Sequence, residues 1–367
     1  MDLPRVAAFT DTYLPTHNGA TYTIQTWRDR WHRRGGRMDV VYPDSDHEPA
    51  EGEYPVSSVP FPFYEGFRVG VPGVPQAVDS AELVHAHSPF SLGLAGMRLA
   101  RKHDLPMVAS YHTPTGEYAE YVAFTRPIER AVERSAEEYE RRFLDRTDLV
   151  VAPSERTADH VRDAVGSTTP VTVVSNGVDT DFFRPVATER FRRRHDLSGR
   201  PLVGYTGRHG YEKNLEAIVE AVDGMDVTLA FGGDGPARDG LEAAARAADV
   251  DARFLGWLDR EELPAFYSAL DVFAFPSPVE TQGIAALEAN ACGTPVAGVA
   301  SAALADTIDQ GETGYKAPPD DAAAFRDVIE RTLSERERLG EACLARRDAL
   351  SVEHSVDRLA EVYEQLL

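Results

Sequence analysis

Phe275-Pro-Ser-Pro-Val-Glu-Thr-Gln-Gly-Ile-Ala-Ala-Leu-Glu-Ala-Asn-Ala-Cys-Gly-Thr-Pro-Val296 carries two glutamates, Glu280 and Glu288, eight residues apart. The stretch reads as a buried strand from Asp271 to Ser277, a short loop holding Glu280, a helix from about Gly283 holding Glu288, and a further strand. In open α/β sheets such strand-to-helix loops lie at the carboxyl ends of the strands, where ligands bind. Unpaired amides of Gly283, Ile284 and Ala285 at the helix start would favour an anion. Two carboxylates would repel that anion unless they accept hydrogen bonds from hydroxyls on either side of it. A diphosphate flanked by two polyhydroxylated groups, as in a nucleotide-sugar, has that shape. The same two acids also suit a solvated helix start, where the macrodipole favours carboxylates.

Outward from this stretch, short apolar runs alternate with helical patterns, the signature of parallel sheets built from βαβ units. Strands are expected at Val6–Thr10, Met38–Tyr42, Leu83–His87, Met107–Tyr111, Leu149–Pro153 and Val171–Ser175, with helices at Thr21–Arg34, Leu92–His103 and Glu129–Phe143. Phe183 to Gly199 reads as irregular and charged. The pattern then restarts at Leu202–Thr206, Val227–Phe231, Arg253–Leu255, Val272–Pro276 and Pro295–Val299. An amphipathic run, Val356 to Leu367, closes the chain. The expectation is an α/β protein of two doubly wound domains: residues 1–185 joined by a final helix at 353–367, a linker at 186–200, and residues 201–352.

The chain has 367 residues and a net charge of −22, with 60 acidic against 38 basic residues. Only three of the basic residues are lysine: Lys102, Lys213 and Lys316. This acidic, lysine-poor surface is similar to that of proteins from salt-loving organisms, because high salt screens self-repulsion. It argues against a nucleic-acid binder, which needs a basic footprint. Cys292 and Cys343 are too few for a disulfide scaffold, and no Cys/His cluster has metal spacing. The N-terminus lacks a signal sequence and no stretch reaches about 18 apolar residues, so a cytoplasmic location is expected.

The second half opens with Tyr205-Thr-Gly-Arg-His-Gly-Tyr-Glu-Lys-Asn-Leu215, a strand end running into a glycine-rich loop. Arg208 offers a planar fork to phosphate and Lys213 a point charge. Lysine is so scarce here that Lys213 in this loop argues for a selected role. In Phe9-Thr-Asp-Thr-Tyr-Leu-Pro-Thr-His-Asn-Gly-Ala20, Gly19 precedes a helix and would let a phosphate approach the backbone. His112, in Ser110-Tyr-His-Thr-Pro114, stands at another strand end, where it suits either a substrate hydroxyl or a backbone partner. Gly232-Gly-Asp-Gly-Pro236 lacks the full spacing of a dinucleotide loop, and Pro236 removes an amide. The Asp-x-Asp triplets at 44/46, 179/181 and 249/251 have no supporting ligands in sequence, so no obligatory metal or other cofactor is expected.

Taken in order, Gly19, His112, the Asn176-Gly-Val-Asp-Thr-Asp-Phe-Phe-Arg-Pro185 segment, Arg208 with Lys213, the Gly232–Pro236 turn and the spaced glutamates resemble one family. The chain looks like the retaining, nucleotide-sugar-dependent glycosyltransferases of family 4, with the GT-B architecture of two facing Rossmann-like domains. The resemblance implies that Arg208 and Lys213 hold the donor diphosphate, and that Glu280 accepts from sugar hydroxyls and Glu288 from ribose hydroxyls. It also implies amide contacts to phosphate from Gly283, Ile284 and Ala285, and close approaches at Gly19 and Gly233. A sugar contact at His112 and a final helix that returns to the first domain complete the picture. Glu280 is then a positioning and charge-stabilising group, with the leaving phosphate assisting acceptor deprotonation.

Many members carry an aromatic residue two after the first glutamate, whereas this chain has Glu280-Thr-Gln-Gly283. That form, with the Asp-Thr-Tyr-Leu-Pro opening and the Tyr-His-Thr and Tyr-Val segments, looks most like members that glycosylate glycerolipids. The implied partners are a nucleotide-diphosphate sugar and a lipid or glycan acceptor, with peripheral membrane contact at the inner face of the cell membrane. A soluble sugar or polysaccharide acceptor, or a sugar-nucleotide epimerase, are the alternatives. Thr26 to Arg37 places five arginines and two tryptophans, Trp27 and Trp31, on one helix. It suits either an anionic lipid surface or a core-facing stripe with a basic outer face, and the core reading is favoured.

Overall fold

The computed structural model describes residues 3–16, 18–60, 68–112, 126–197 and 199–367, with the backbone alone described over 126–134. It divides into two compact units, one of Met1–Asn176 with Ser355–Leu367, the other of Gly177–His354. The Thr113-Pro114 and Tyr-Val parts of the lipid-like motif, and His17, lie outside the described residues.

The first unit holds a seven-stranded sheet in the order β3-β2-β1-β6-β7-β8-β9, with every pairing parallel. Its strands are β1 (Arg5–Phe9), β2 (Arg37–Pro43), β3 (Glu53–Val56), β6 (Leu83–Ala86), β7 (Met107–Ser110), β8 (Leu149–Ala152) and β9 (Val171–Val173). An antiparallel pair, β4 (Ser58–Pro60) and β5 (Arg68–Gly70), branches off. The helices are α1 (Gly19–Arg33), α2 (Ser91–His103), α3 (Arg126–Leu144) and the short α4 (Glu155–Asp159). The central strands are buried on both faces, which is why they read as mainly apolar runs, broken only by His85 in β6 and Ser110 at the end of β7.

Two caps set the helices over this sheet. Asn18 accepts from the Thr21 amide at 2.9 Å and starts α1. No side chain of its own caps α2. Instead Asp11, in the loop after β1, accepts from the Ser91 hydroxyl (2.8 Å) and the Leu92 amide (3.2 Å). Asp11 also accepts from the Ser88 hydroxyl at 2.6 Å, tying the loops after β1 and β6 together.

The arginine-rich helix α1 is part of the core. Trp27 and Trp31 are 1% and 0% exposed, and their indole N–H groups donate to the carbonyls of Asn176 and Pro4. The favoured stripe reading therefore holds, but its basic face is less outward than expected. Arg28 and Arg30 are also buried, Arg28 against Glu53 at 3.2 Å. Residues 355–367 belong to this unit, with Tyr363 edge-on to Trp31 at 5.3 Å.

The second unit holds a six-stranded parallel sheet in the order β12-β11-β10-β13-β14-β15. These are β10 (Leu202–Thr206), β11 (Thr228–Gly232), β12 (Ala252–Gly256), β13 (Val272–Phe275), β14 (Val296–Val299) and β15 (Gly314–Ala317). Its helices are α5 (Glu189–Arg194), α6 (Glu216–Val222), α7 (Arg238–Ala247), α8 (Leu263–Ala269), α9 (Ile284–Ala291), α10 (Leu304–Thr307), α11 (Ala322–Ser334), α12 (Arg336–Ala345) and α13 (Arg347–Leu350). The last helix, α14 (Val352–Glu364), begins in this unit.

Of the stretch expected to be irregular, residues 183–197 are not irregular throughout. They contain α5 and pack into this unit, with Phe183 edge-on to Tyr267 at 6.0 Å and Phe191 edge-on to Phe266 at 6.1 Å. Charge on three sides of α5 hid one buried anchor, Phe191. Each sheet reverses its strand order once, at β1/β6 in the first unit and at β10/β13 in the second. Loops leaving the carboxyl ends beside such a reversal form a crevice that takes ligands.

Candidate active site

Both loops beside the β10/β13 reversal carry the residues singled out from sequence. After β10 come Arg208 and Lys213, and after β13 comes Glu280. Lys213 Nζ donates to Glu280 Oε1 at 2.8 Å, a charge-assisted bond between partly buried groups. Arg208 is paired with Glu212 four residues on. Each cation thus has a carboxylate partner.

The Glu280 loop is held from below. The Ala303 amide donates to the Glu280 carbonyl (3.1 Å), the Ser301 hydroxyl to the Pro278 carbonyl (2.9 Å), and the Thr307 hydroxyl to the Gln282 carbonyl. Gly283 sits at φ +76°, in the left-handed region, and a Cβ there would come within 2.7 Å of Leu304. Only glycine makes this turn into α9 cheaply. No side chain caps α9, and its first turn carries no acid, so its positive end is left to backbone amides.

Glu288, one turn into α9, is buried and its Oε2 accepts from the Tyr267 hydroxyl at 2.7 Å. Burial pushes its carboxyl up to about 7, against the pull of that hydrogen bond and of Arg260. The solvated-helix reading does not describe this residue.

Gly233 shows what the Gly232–Pro236 turn does. Its φ is +102°, and a Cβ would lie 1.9 Å from the Gly207 carbonyl oxygen. The His209 amide donates to the Asp234 carbonyl (2.8 Å) and the Ala237 amide returns a bond to the His209 carbonyl (2.9 Å). The turn therefore clasps the loop that carries Arg208.

In the first unit one candidate group follows β1, at the β1/β6 reversal, and the other follows β7, the neighbour of β6. Gly19 is the exposed first residue of α1, and His112 follows β7, partly exposed. His112 Nε2 lies 2.9 Å from His87 Nδ1, and the His87 ring stacks on His85 at 4.2 Å. Burial holds His112 down at about 4 and His85 at about 3, so these rings are neutral near pH 7.

Sequence reading overlooked His85 and His87. Their spacing of two places both on one face of an extended segment, His85 in β6 and His87 just beyond its end, a signal that was available. It also overlooked Trp257, 68% exposed after β12, beside the Gly233 turn whose amide donates to the Gly256 carbonyl at 2.7 Å. A large indole left in solvent at a sheet's carboxyl edge is the kind of signal composition cannot give.

One carboxylate of each Asp-x-Asp triplet serves the fold. Asp44 accepts from Ser58, Asp179 from the amides of Asp181 and Phe182, and Asp251 pairs with Arg253 and Arg200. Among the described residues no helix is long and apolar enough to cross a membrane.

Two Rossmann-like parallel-sheet units make this an α/β protein of the GT-B architecture. Residues 17–182 match Glycosyltransferase Family 4 and residues 187–343 match Glycosyl transferases group 1, and the chain belongs to this family. A GDP-mannose-dependent alpha-mannosyltransferase of Mycolicibacterium smegmatis is 31% identical over 99% of this chain and 98% of that protein. An alpha-monoglucosyldiacylglycerol synthase of Streptococcus pneumoniae is 28% identical over 90% of this chain and 81% of its own length. A 2-deoxystreptamine glucosyltransferase of Streptomyces kanamyceticus is 32% identical over 78% of each. Among solved structures, a sucrose-phosphate synthase from Thermosynechococcus elongatus superposes with a TM-score of 0.79 at 22% identity, over 99% of both chains. HepE of Anabaena in complex with UDP does so at 0.77 and 17% identity, over 99% of this chain and 100% of that one.

Proposed function

We propose that the protein moves a hexose, with retention, from a nucleoside-diphosphate sugar to a hydroxyl of a lipid or lipid-linked acceptor. The observation that carries this reading is the Lys213–Glu280 pair beside the uncapped start of α9. A cation and helix amides suit the diphosphate, and a carboxylate within reach of them suits the hydroxyls of the sugar.

Arg208 and Lys213 would take up the charge that builds on the leaving diphosphate, with the amides of Gly283, Ile284 and Ala285. Glu280 would accept from sugar hydroxyls and offset positive charge at the anomeric carbon. The bond from that carbon to the diphosphate breaks as a bond to the acceptor oxygen forms on the same face. The acceptor proton passes to the leaving phosphate oxygen. Glu288 would hold the ribose hydroxyls, and Gly233 would keep the Arg208 loop in place. By resemblance, Gly19 would approach phosphate and His112 would contact the sugar.

The relative dependent on GDP-mannose supports retention, because the mannose of GDP-mannose is itself α-linked. The diacylglycerol-directed relative supports a lipid acceptor. The 2-deoxystreptamine enzyme supports a second reading, a soluble sugar-like acceptor. A thermal-shift screen of nucleoside diphosphates in high salt, then transfer from the matching sugar donor onto extracted membrane lipids, tests the first. Labelled glycolipid is the expected product. Transfer only to soluble acceptors would replace the lipid reading, and an epimerised free sugar-nucleotide from donor alone would remove the transferase reading.

A further inference from the structure

We infer that His87 is a positioning residue that fixes the tautomer of His112, so that His112 faces its substrate as a neutral Nδ1–H donor. The bearing of this on turnover rests on the reading of His112 as a sugar contact.

His87 is held on three sides. Its amide donates to the Phe9 carbonyl at 2.8 Å, which docks the strand end against β1. Its ring stacks on His85, whose nitrogens are both engaged, Nδ1 with the Tyr363 hydroxyl (2.6 Å) and Nε2 with the Ser110 hydroxyl (2.8 Å). The Trp27 ring lies 6.2 Å away. The ring centroids of His87 and His112 are 5.2 Å apart and their planes differ by 14°, a separation that a 2.9 Å contact between nitrogens reaches only when it runs outward in the plane of both rings, where lone pair and N–H meet well.

One proton is shared across that contact, and two arrangements are open to a neutral pair. If His112 Nε2–H donates, His87 must carry its proton on Nε2. That atom is buried and has no hydrogen-bond partner among the described residues. A buried N–H without an acceptor is among the rarest features of folded proteins, whereas a bare acceptor is better tolerated. The second arrangement is therefore preferred: His87 Nδ1–H donates to His112 Nε2, and His87 Nε2 carries only its lone pair. His112 then has its proton on Nδ1, for which no partner exists among the described residues.

The consequence is functional. A histidine free in solution prefers the Nε2–H form, and an imidazolium would meet the donor of His87 head-on. His87 opposes both states. Burial acts the same way, holding His112 and His87 below their ordinary range. What remains is a donor of fixed direction, suited to a sugar hydroxyl oxygen.

The test is a two-bond nitrogen–proton correlation spectrum of the full chain labelled in histidine, with His112→Ala assigning the His112 signals. A protonated Nδ1 and a bare Nε2 at His112 are expected. In His87→Phe the His112 proton should move to Nε2, and kcat should fall at least tenfold with the donor KM within about threefold. His87→Asn places an amide N–H where Nδ1–H stood and should restore both the tautomer and most of kcat. A protonated Nε2 at His112 in the wild type, or the same tautomer in His87→Phe, would overturn the inference. So would loss of kcat in His87→Asn with the tautomer preserved. Should His87→Phe fail to fold, the wild-type and His87→Asn spectra still decide. Wild-type turnover in His112→Ala would remove the sugar-contact reading alone, since the spectrum judges the tautomer separately.

Discussion

At Glu288 burial outweighs one hydrogen bond, and the residue's titration follows. Its carboxyl is raised to about 7, above the usual value near 4.3 for an unfolded chain. A raised carboxyl contributes stability below the unfolded value and loses it as pH climbs through the folded one, because the folded state then gives up a proton it held. Glu288 should therefore lower the unfolding free energy between about pH 4.5 and 7, while His85 and His112, held neutral in the folded chain, raise it up to about pH 6.5. In Glu288→Gln this contribution, about 3–4 kcal/mol, should be absent, leaving the opposing rise from the histidines. Urea titrations of both proteins across this range check it, and parallel curves would show that Glu288 is ionised throughout. The carboxyl itself was legible in the sequence, but its burial against Tyr267 was not. Tyr267 is 21 residues away on α8, and spacing carries no information about that contact.

Elements were legible wherever a strand is buried on both faces, since an apolar run then has one explanation. β10 and β13 were expected within a residue or two of where they lie. The missed strands have a common physical cause. β3 and β15 are the edges of their sheets, and β4 and β5 pair only with each other. Edge positions tolerate Pro55 in β3 and Lys316 in β15, which weaken the strand signal. Gly283 shows the opposite case, a single residue on which an element depends. Gly283→Ala places a side chain at positive φ and against Leu304, so it should cost about 1–3 kcal/mol. It should also weaken nucleotide binding, because the start of α9 shifts. Chemical denaturation and calorimetry read the two effects, and a neutral result in both would mean that the turn adapts.

For the whole molecule the dominant quantity is the net charge of −22. Self-repulsion of this size destabilises a compact chain until salt screens it, with a screening length of about 10 Å at 0.1 M and about 3 Å at 1 M. The thermal midpoint should rise between low and molar potassium chloride, and a midpoint independent of salt would contradict this account of the charge. Against that acidic background three lysines stand out, and one of them meets Glu280. The central claim is that this lysine holds the diphosphate of a nucleotide-sugar. Calorimetric titration of wild type, Lys213→Ala and Lys102→Ala with the preferred nucleoside-diphosphate sugar in high salt tests it most directly. Affinity should fall at least tenfold, about 1.4 kcal/mol, in Lys213→Ala and stay unchanged in Lys102→Ala. Equal affinity in wild type and a folded Lys213→Ala would contradict it.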